Sequence, residues 1–135
     1  MVQRQPTFSA LRTRLRYLAL GTATIVLGLA VHLRGQALGT ALRDITGDAL
    51  WAAMVTWLAG AAAPNARPWR RAVAALAICF SVEFSQLYHQ PALDAARRTT
   101  VGHLVLGSGF DPRDLAAYAA GIAVALLIER RAVRR

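Results

Sequence analysis

Four apolar segments separated by arginine-rich connections most constrain how this chain can fold. They cover residues 17–33, 49–63, 72–89 and 112–128. A helix that spans the hydrocarbon core of a bilayer needs about 17–25 mostly apolar residues. The second segment reaches that length if residues 45–48 form its first turn at the interface. The sequence therefore predicts an all-α integral membrane protein with four transmembrane helices.

The composition favours lipid over water around these helices. The chain has 135 residues, of which 56% are hydrophobic, and its formal net charge is +9. A water-soluble domain of this length cannot bury so much apolar surface. The arginines lie between apolar segments and form no continuous face beside exposed aromatic residues, so we expect no nucleic-acid partner.

The distribution of arginine predicts the orientation. Eleven of the sixteen basic residues lie in the two termini and in the turn between the second and third segments. The positive-inside rule places those regions in the cytoplasm. We therefore expect a basic cytoplasmic tail over residues 1–16, one membrane domain over 17–129 and a second basic tail over 130–135. The predicted location is the bacterial cytoplasmic (inner) membrane, with several passes. A cleaved signal peptide at the first segment is a competing interpretation, which the three later segments disfavour.

The fourth segment carries the clearest local signals. Asp111 can cap the helix, and Pro112 suits its first position. Small residues recur at intervals of four at Ala117, Gly121 and Ala125. In lipid such a ridge allows a neighbouring helix to approach closely.

Glu83 is the least expected residue, because it lies well inside the third apolar segment. A carboxylate at such a depth costs about 2.5–3.5 kcal/mol on insertion scales. It therefore needs a cationic or hydrogen-bonding partner. Arg97 and Arg98 lie in the long outer connection, 92–109, and we expect one of them to fold back onto Glu83. The sequence leaves open which one does so. Gln86 shares a helical face with Glu83.

Other polar residues are expected at the same outer depth. Asp48 precedes the second segment, Asp114 starts the fourth, and His103 lies in the outer connection. The predicted cup, a ligand-binding or polar cluster, thus contains Asp48, Glu83, Gln86, Arg97, Arg98, His103 and Asp114. Purely structural roles stay open: Glu83 as half of an ion pair, Asp114 as a helix start and Asp48 as an interface anchor.

Neither a metal nor a cofactor is expected. His89 and His103 have no third ligand at a suitable spacing. Cys79 is the single cysteine and lies inside an apolar segment, where it resembles a small buried hydrophobic residue.

Short motifs in a fixed order resemble those of VanZ-like membrane proteins, and more closely those of a related uncharacterised family of small bacterial membrane proteins. The resemblance covers residues 47–121, and the adjacent Arg97 and Arg98 leave open which occupies the family's basic position. The motifs are G-D-x-L-W at 47–51, E-F-S-Q at 83–86, R-x-T at 98–100, G-H-x-x-L-G-x-G-F at 102–110 and D-L-x-x-Y-x-x-G at 114–121. The VanZ name implies a link to resistance against glycopeptides that target cell-wall precursors. The resemblance supplies no biochemical mechanism.

Three functions fit these observations. The first is an accessory or binding protein whose outward-facing cup holds a lipid head group or a lipid-linked cell-envelope precursor. The second is a membrane enzyme acting on a lipid-linked substrate, with Glu83 as general base. No nucleophile–base pair is visible for it, so we do not assign catalytic residues. The third is a small transporter, which would need a homo-oligomer. Membrane lipid is the expected partner in each case.

Overall fold

Residues 8–133 are helical apart from short connections in a computed structural model of the protein, which describes that part of the chain. No strand occurs among these residues, so the predicted all-α fold is confirmed. Six α-helices and one short 3-10 helix follow one another: α1 (Phe8–Arg34), the 3-10 helix (Gly35–Leu38), α2 (Thr40–Ala62), α3 (Pro68–Ser85), α4 (Pro91–Arg97), α5 (Thr100–Leu106) and α6 (Pro112–Ala132).

The four long helices form a bundle with α2 at its centre. Helix α2 packs against α1, α3 and α6, and α3 also packs against α6. Helix α1 lies on the outside and contacts mainly α2 and the 3-10 helix. The four predicted apolar segments fall in α1, α2, α3 and α6, respectively.

The helix boundaries differ from those predicted. The predicted tail over 1–16 is already helical from Phe8, and residues 1–7 and 134–135 lie outside the described part. Helix α2 begins at Thr40, so most of the expected polar connection before residue 49 is helical. Pro91 does not stop α3, which ends earlier at Ser85; it begins α4, because proline fits the first turn of a helix.

The outer connection, 92–109, is not an irregular loop. It contains most of α4 and all of α5. The Thr99 hydroxyl caps α5 by accepting a hydrogen bond of 3.0 Å from the backbone N–H of Gly102. A Cβ atom on Gly102 would lie 1.8 Å from the carbonyl oxygen of Ala96, so the two short helices meet at a glycine.

Small residues bring α2 and α6 together, as the ridge on α6 predicted. Ala117, Gly121 and Ala125 are all buried. A Cβ atom on Gly121 would lie 2.1 Å from the carbonyl oxygen of Ala49 on α2. Cys79 is also fully buried in this core, as expected of a small hydrophobic residue. The predicted start of α6 is confirmed too, since the Asp111 side chain accepts from the Arg113 N–H.

Large apolar side chains cover the outside of the bundle on all four long helices. They include Leu11, Leu15, Leu18, Ile25, Val26, Leu27, Leu42, Ile45, Leu58, Val73, Ile78, Phe84, Val124, Leu127 and Ile128. Exposed apolar surface on this scale marks contact with lipid or with another protein.

One segment of the described chain is long and apolar enough to cross a membrane by length and composition. It runs over Phe8–Leu38, and its most apolar window of 18 residues has a mean hydropathy of 1.5. The other long described helices do not meet the same criterion of length and composition. The protein is therefore helical with one possible membrane helix, and the predicted set of four spans stays a prediction.

A buried ion pair closes the end of the bundle where α3 begins and α6 ends. Arg71 donates to Glu129, and each side chain is only 2% exposed. The Arg71 guanidinium also donates to the carbonyl oxygen of Pro64 at 3.2 Å and lies 5.1 Å from the ring centroid of Tyr17. The sequence places Arg71 in the basic turn between the second and third segments, and the structure shows that its side chain lies inside the core.

We expect the substitution Gly121→Ala to destabilise the protein, because its Cβ would overlap the backbone of α2. The expected loss in the free energy of unfolding is about 1–3 kcal/mol, as for other overpacked cores. Thermal unfolding in detergent measures it. Gly28→Ala is the matched control: it also lies within a long helix, but nothing lies within 4 Å of its added Cβ. Equal stability of the two variants would contradict the close packing of α2 and α6.

We also expect Arg71→Met to destabilise the bundle by about 3–5 kcal/mol, because it removes the cation from a buried carboxylate. The double variant Arg71→Met/Glu129→Leu should recover part of that loss. Arg113→Met is the control, since its ion pair with Asp111 is exposed and worth less than about 1 kcal/mol. A double variant less stable than Arg71→Met would contradict this account of the pair.

Candidate binding site

Glu83 lies near the end of α3 and is completely buried. Its Oε1 accepts a hydrogen bond of 2.8 Å from the backbone N–H of Asp111. Its Oε2 accepts from the Tyr118 hydroxyl at 3.0 Å and from the Gln86 side-chain amide at 3.2 Å. The carboxylate is therefore stabilised by three donors, which lie just after α3, just before α6 and on α6 itself.

The prediction that Arg97 or Arg98 pairs with Glu83 is wrong. Within residues 8–133 no arginine pairs with Glu83. Arg97 is buried, but it donates to the carbonyl oxygens of Ser85 at 2.6 Å and Tyr88 at 2.9 Å, and to Asp94 at 3.2 Å. The reason is that α3 ends early and leaves carbonyl groups without partners, which a cation at the helix end satisfies.

A cavity of about 610 Å³ opens at the same end of the bundle. The second half of α1, the first half of α2 and the start of α6 form its walls, together with α5 and the turn after it. Its polar lining includes Asp48, Gln86, His103, Asp114 and Tyr118. Apolar side chains line the rest: Ile25, Leu29, Val31, Leu50, Trp51, Met54, Val82, Val101, Leu104 and Val105.

Asp48 on α2 and Asp114 on α6 both line this cavity, and their carboxyl groups are close enough to act on each other electrostatically. The other charged groups that act on Asp48 are Glu83 and Asp44, which are also acidic. This wall of the cavity is therefore strongly electronegative.

The other acidic residues at the cavity rim have their own cations. Arg113 donates to both carboxylate oxygens of Asp111, and these hydrogen bonds lower the pKa of Asp111. The Nε of Arg43 lies 3.7 Å from the carboxylate of Asp44. Within residues 8–133 only the inner pair, Asp48 and Asp114, lines the cavity as carboxyl groups without an ion-pair partner.

Gln86 is one of the lining residues, and its side chain holds a buried acceptor without a partner among the described residues. The residue is 5% exposed, and its Oε1 has no hydrogen-bond partner. Its amide packs against Gly107, where a Cβ atom would lie 2.4 Å from Nε2. Gly107 also has a φ of +67°, which disfavours residues with a side chain. The glycine thus fixes the position of the amide.

A second cavity of about 370 Å³ adjoins the first and is basic. Arg98, Arg97 and Thr100 line it. His32, His103 and Ser108 line both cavities, so the two adjoin each other. Arg98 is exposed and forms no ion pair within the described residues, unlike its neighbour.

The structure therefore separates the seven predicted cup residues by role. Four of them line the main cavity: Asp48, Gln86, His103 and Asp114. Arg98 lines the adjoining basic cavity, Arg97 caps α3, and Glu83 lies behind the wall. No group of three potential metal ligands occurs within residues 8–133.

Tyr118 and Gly107 are the residues of this site that the prediction missed. Tyr118 lies four residues after Asp114, so both occupy one face of α6. That spacing was visible in the D-L-x-x-Y motif and could have identified the tyrosine. The contact between Gly107 and Gln86 joins distant parts of the chain, so no local pattern revealed it.

A family described as "Protein of unknown function (DUF2809)" matches residues 37–122, more than half of the chain. The matched region contains α2, α3, both short helices and the first half of α6, which form most of the cavity. No solved structure matches the chain. The predicted kinship with an uncharacterised family is confirmed, while the resemblance to VanZ-like proteins stays a prediction.

We expect Glu83→Gln to destabilise the protein by about 1–3 kcal/mol, because an amide N–H₂ would then face donors that need an acceptor. Tyr118→Phe, which removes one of the three donors, should cost about 1 kcal/mol. Tyr88→Phe changes an exposed tyrosine and serves as the control. Thermal unfolding in detergent measures all three. Parental stability of Glu83→Gln would show that the network does not support the fold.

Proposed function

The chain belongs to the DUF2809 family of proteins of unknown function, and from this premise we propose a function based on its cavity. We propose that the protein is a small multi-pass membrane protein that binds a lipid head group or a lipid-linked cell-envelope precursor in an outward-facing cup. The observation that carries this proposal is the large, partly polar cavity at one end of a bundle with an apolar exterior.

The lengths of the helices support four spans. Helix α1 has 27 residues, α2 has 23, α6 has 21 and α3 has 18. At 1.5 Å per residue they measure about 40, 34, 31 and 27 Å. The hydrocarbon core of a bilayer is about 30 Å thick. Helices α1, α2 and α6 therefore have the length to cross it, with some tilt for the longest, and α3 is about 3 Å short, a mismatch that local thinning of the bilayer accommodates.

The charge at the two ends of the bundle supports the orientation. Eight described arginines lie at the end with the Arg71–Glu129 pair, and five lie at the cavity end. The positive-inside rule places the arginine-rich end in the cytoplasm. The cavity then opens towards the outside of a bacterial inner membrane, where envelope precursors and outer-leaflet head groups are present.

The lining of the cavity suits an amphiphilic ligand. Its volume of about 610 Å³ falls within the range typical of small-molecule sites. The lining combines polar groups such as Asp48 and Asp114 with apolar residues such as Leu29 and Met54. Such a mixed lining fits a polar head group that enters from the surrounding lipid with part of its chain.

Glu83 has less support as the general base of an enzyme. Both of its carboxylate oxygens already accept hydrogen bonds, and the side chain has no exposed surface. A general base must reach the proton that it removes, either directly or through one water molecule. The observations therefore favour a binding role of the cavity over an enzymatic role of this carboxylate.

Filling the cavity tests the proposal. Gly47 lies on its wall, with nothing within 4 Å of an added Cβ, so Gly47→Leu should occupy the space and keep α2 helical. We expect it to weaken binding of phosphatidylethanolamine, phosphatidylglycerol or undecaprenyl phosphate about tenfold or more, measured by native mass spectrometry of the purified protein.

Ala77→Leu is the matched control for this experiment. It adds the same side chain on the exposed face of α3, away from the cavity, and should leave lipid binding unchanged. If Gly47→Leu bound all three lipids as the parent protein does, the cavity would not be the binding site and the proposal would fail.

A further inference from the structure

We propose that the ligand carries a primary ammonium group next to a phosphate, as the head group of an aminophospholipid does. This inference rests on the binding function proposed above and names its ligand class. It follows from unpaired charges of opposite sign in two adjoining cavities, namely Asp48 and Asp114 in one and Arg98 in the other, among the described residues.

The acidic side is the first part of the argument. Asp48 and Asp114 line the main cavity, and neither has a cation partner within residues 8–133. Glu83 and Asp44 add further negative charge around Asp48. A cation with N–H groups in this cavity would hydrogen-bond to these carboxyl groups. A second anion in this position would be repelled.

Gln86 provides an independent indication of a ligand. Its side chain is almost completely buried, yet its Oε1 accepts no hydrogen bond from the protein. A buried acceptor without a donor costs about 1–3 kcal/mol, so such groups are normally satisfied. The amide is held in place by Glu83 on one side and by Gly107 on the other. A ligand N–H is the donor that this wall lacks.

The basic side supplies the site for the phosphate. Arg98 is exposed in the adjoining cavity and has no ion pair within the described chain, so its guanidinium can form a bidentate contact with a phosphate. His103 lies between the acidic and basic sides, since it lines both cavities. A ligand with a phosphate and an amine on adjacent carbons can therefore meet both sides at once.

Related head groups fit less well. Phosphatidylglycerol offers hydroxyl groups to the carboxyl pair but no positive charge. Phosphatidylcholine offers a positive charge but no N–H for Gln86 or the carboxylates. The structure thus predicts an order of affinity in which phosphatidylethanolamine binds most tightly of the three.

Native mass spectrometry of the purified parent protein with these three lipids, at identical acyl chains, tests that order. We expect phosphatidylethanolamine to bind about tenfold more tightly than either of the others. Soluble O-phosphoethanolamine should compete with it, and glycerol phosphate should not. If O-phosphoethanolamine bound and phosphatidylethanolamine did not, the ligand would have the same phosphate and ammonium groups but would come from outside the membrane.

Variants assign the two halves of the site. Asp48→Asn/Asp114→Asn should weaken phosphatidylethanolamine about tenfold and leave phosphatidylglycerol unchanged or bound more tightly. Arg98→Gln should weaken both lipids. Arg130→Gln, at the opposite end of the bundle, is the control.

Equal affinity of the parent protein for the three lipids would overturn this inference. It would leave the proposed function standing, provided that Gly47→Leu still abolished binding. The comparison of the three lipids uses the parent protein alone. Its outcome therefore does not depend on whether any variant folds.

Discussion

A charged group buried inside this bundle needs a partner from the protein, and this constraint shapes both ends of the structure. A buried charge without such a partner costs several kcal/mol. At one end Arg71 and Glu129 neutralise each other. At the other end Glu83 accepts three hydrogen bonds from neutral donors. The two solutions differ, because a charge pair locks helices together whereas neutral donors leave a net negative environment.

That negative environment connects the fold to the proposed function. The network around Glu83 joins the end of α3 to the start of α6 and so fixes the wall of the cavity. Arg97 could have neutralised the same region, but it caps α3. Under the proposed function, the acidic pair inside the cavity would contact the cation of the ligand, and Arg98 would contact its anion.

The sequence was sufficient for features that depend on local periodicity. The apolar segments located the four long helices, the Asp111–Pro112 pair located the start of α6, and small residues every four positions located its contact with α2. The partner of Glu83 was not predictable in this way. Two of its three donors come from residues 28 and 35 positions later in the chain, so no local pattern reveals them. The ion pair of Arg71 was not predicted for the same reason, since its partner lies 58 residues away.

The central claim is that lipid surrounds the four helices and that the cavity opens on the outer side. Labelling of single cysteines with a membrane-impermeant maleimide in intact bacterial cells tests it most directly, in a Cys79→Ala background. Ser108→Cys lies at the cavity and Asn65→Cys in the turn at the arginine-rich end, and both positions are exposed. The account predicts that Ser108→Cys reacts in intact cells and that Asn65→Cys reacts only after permeabilisation. Reaction of both, or of Asn65→Cys alone, in intact cells would contradict it.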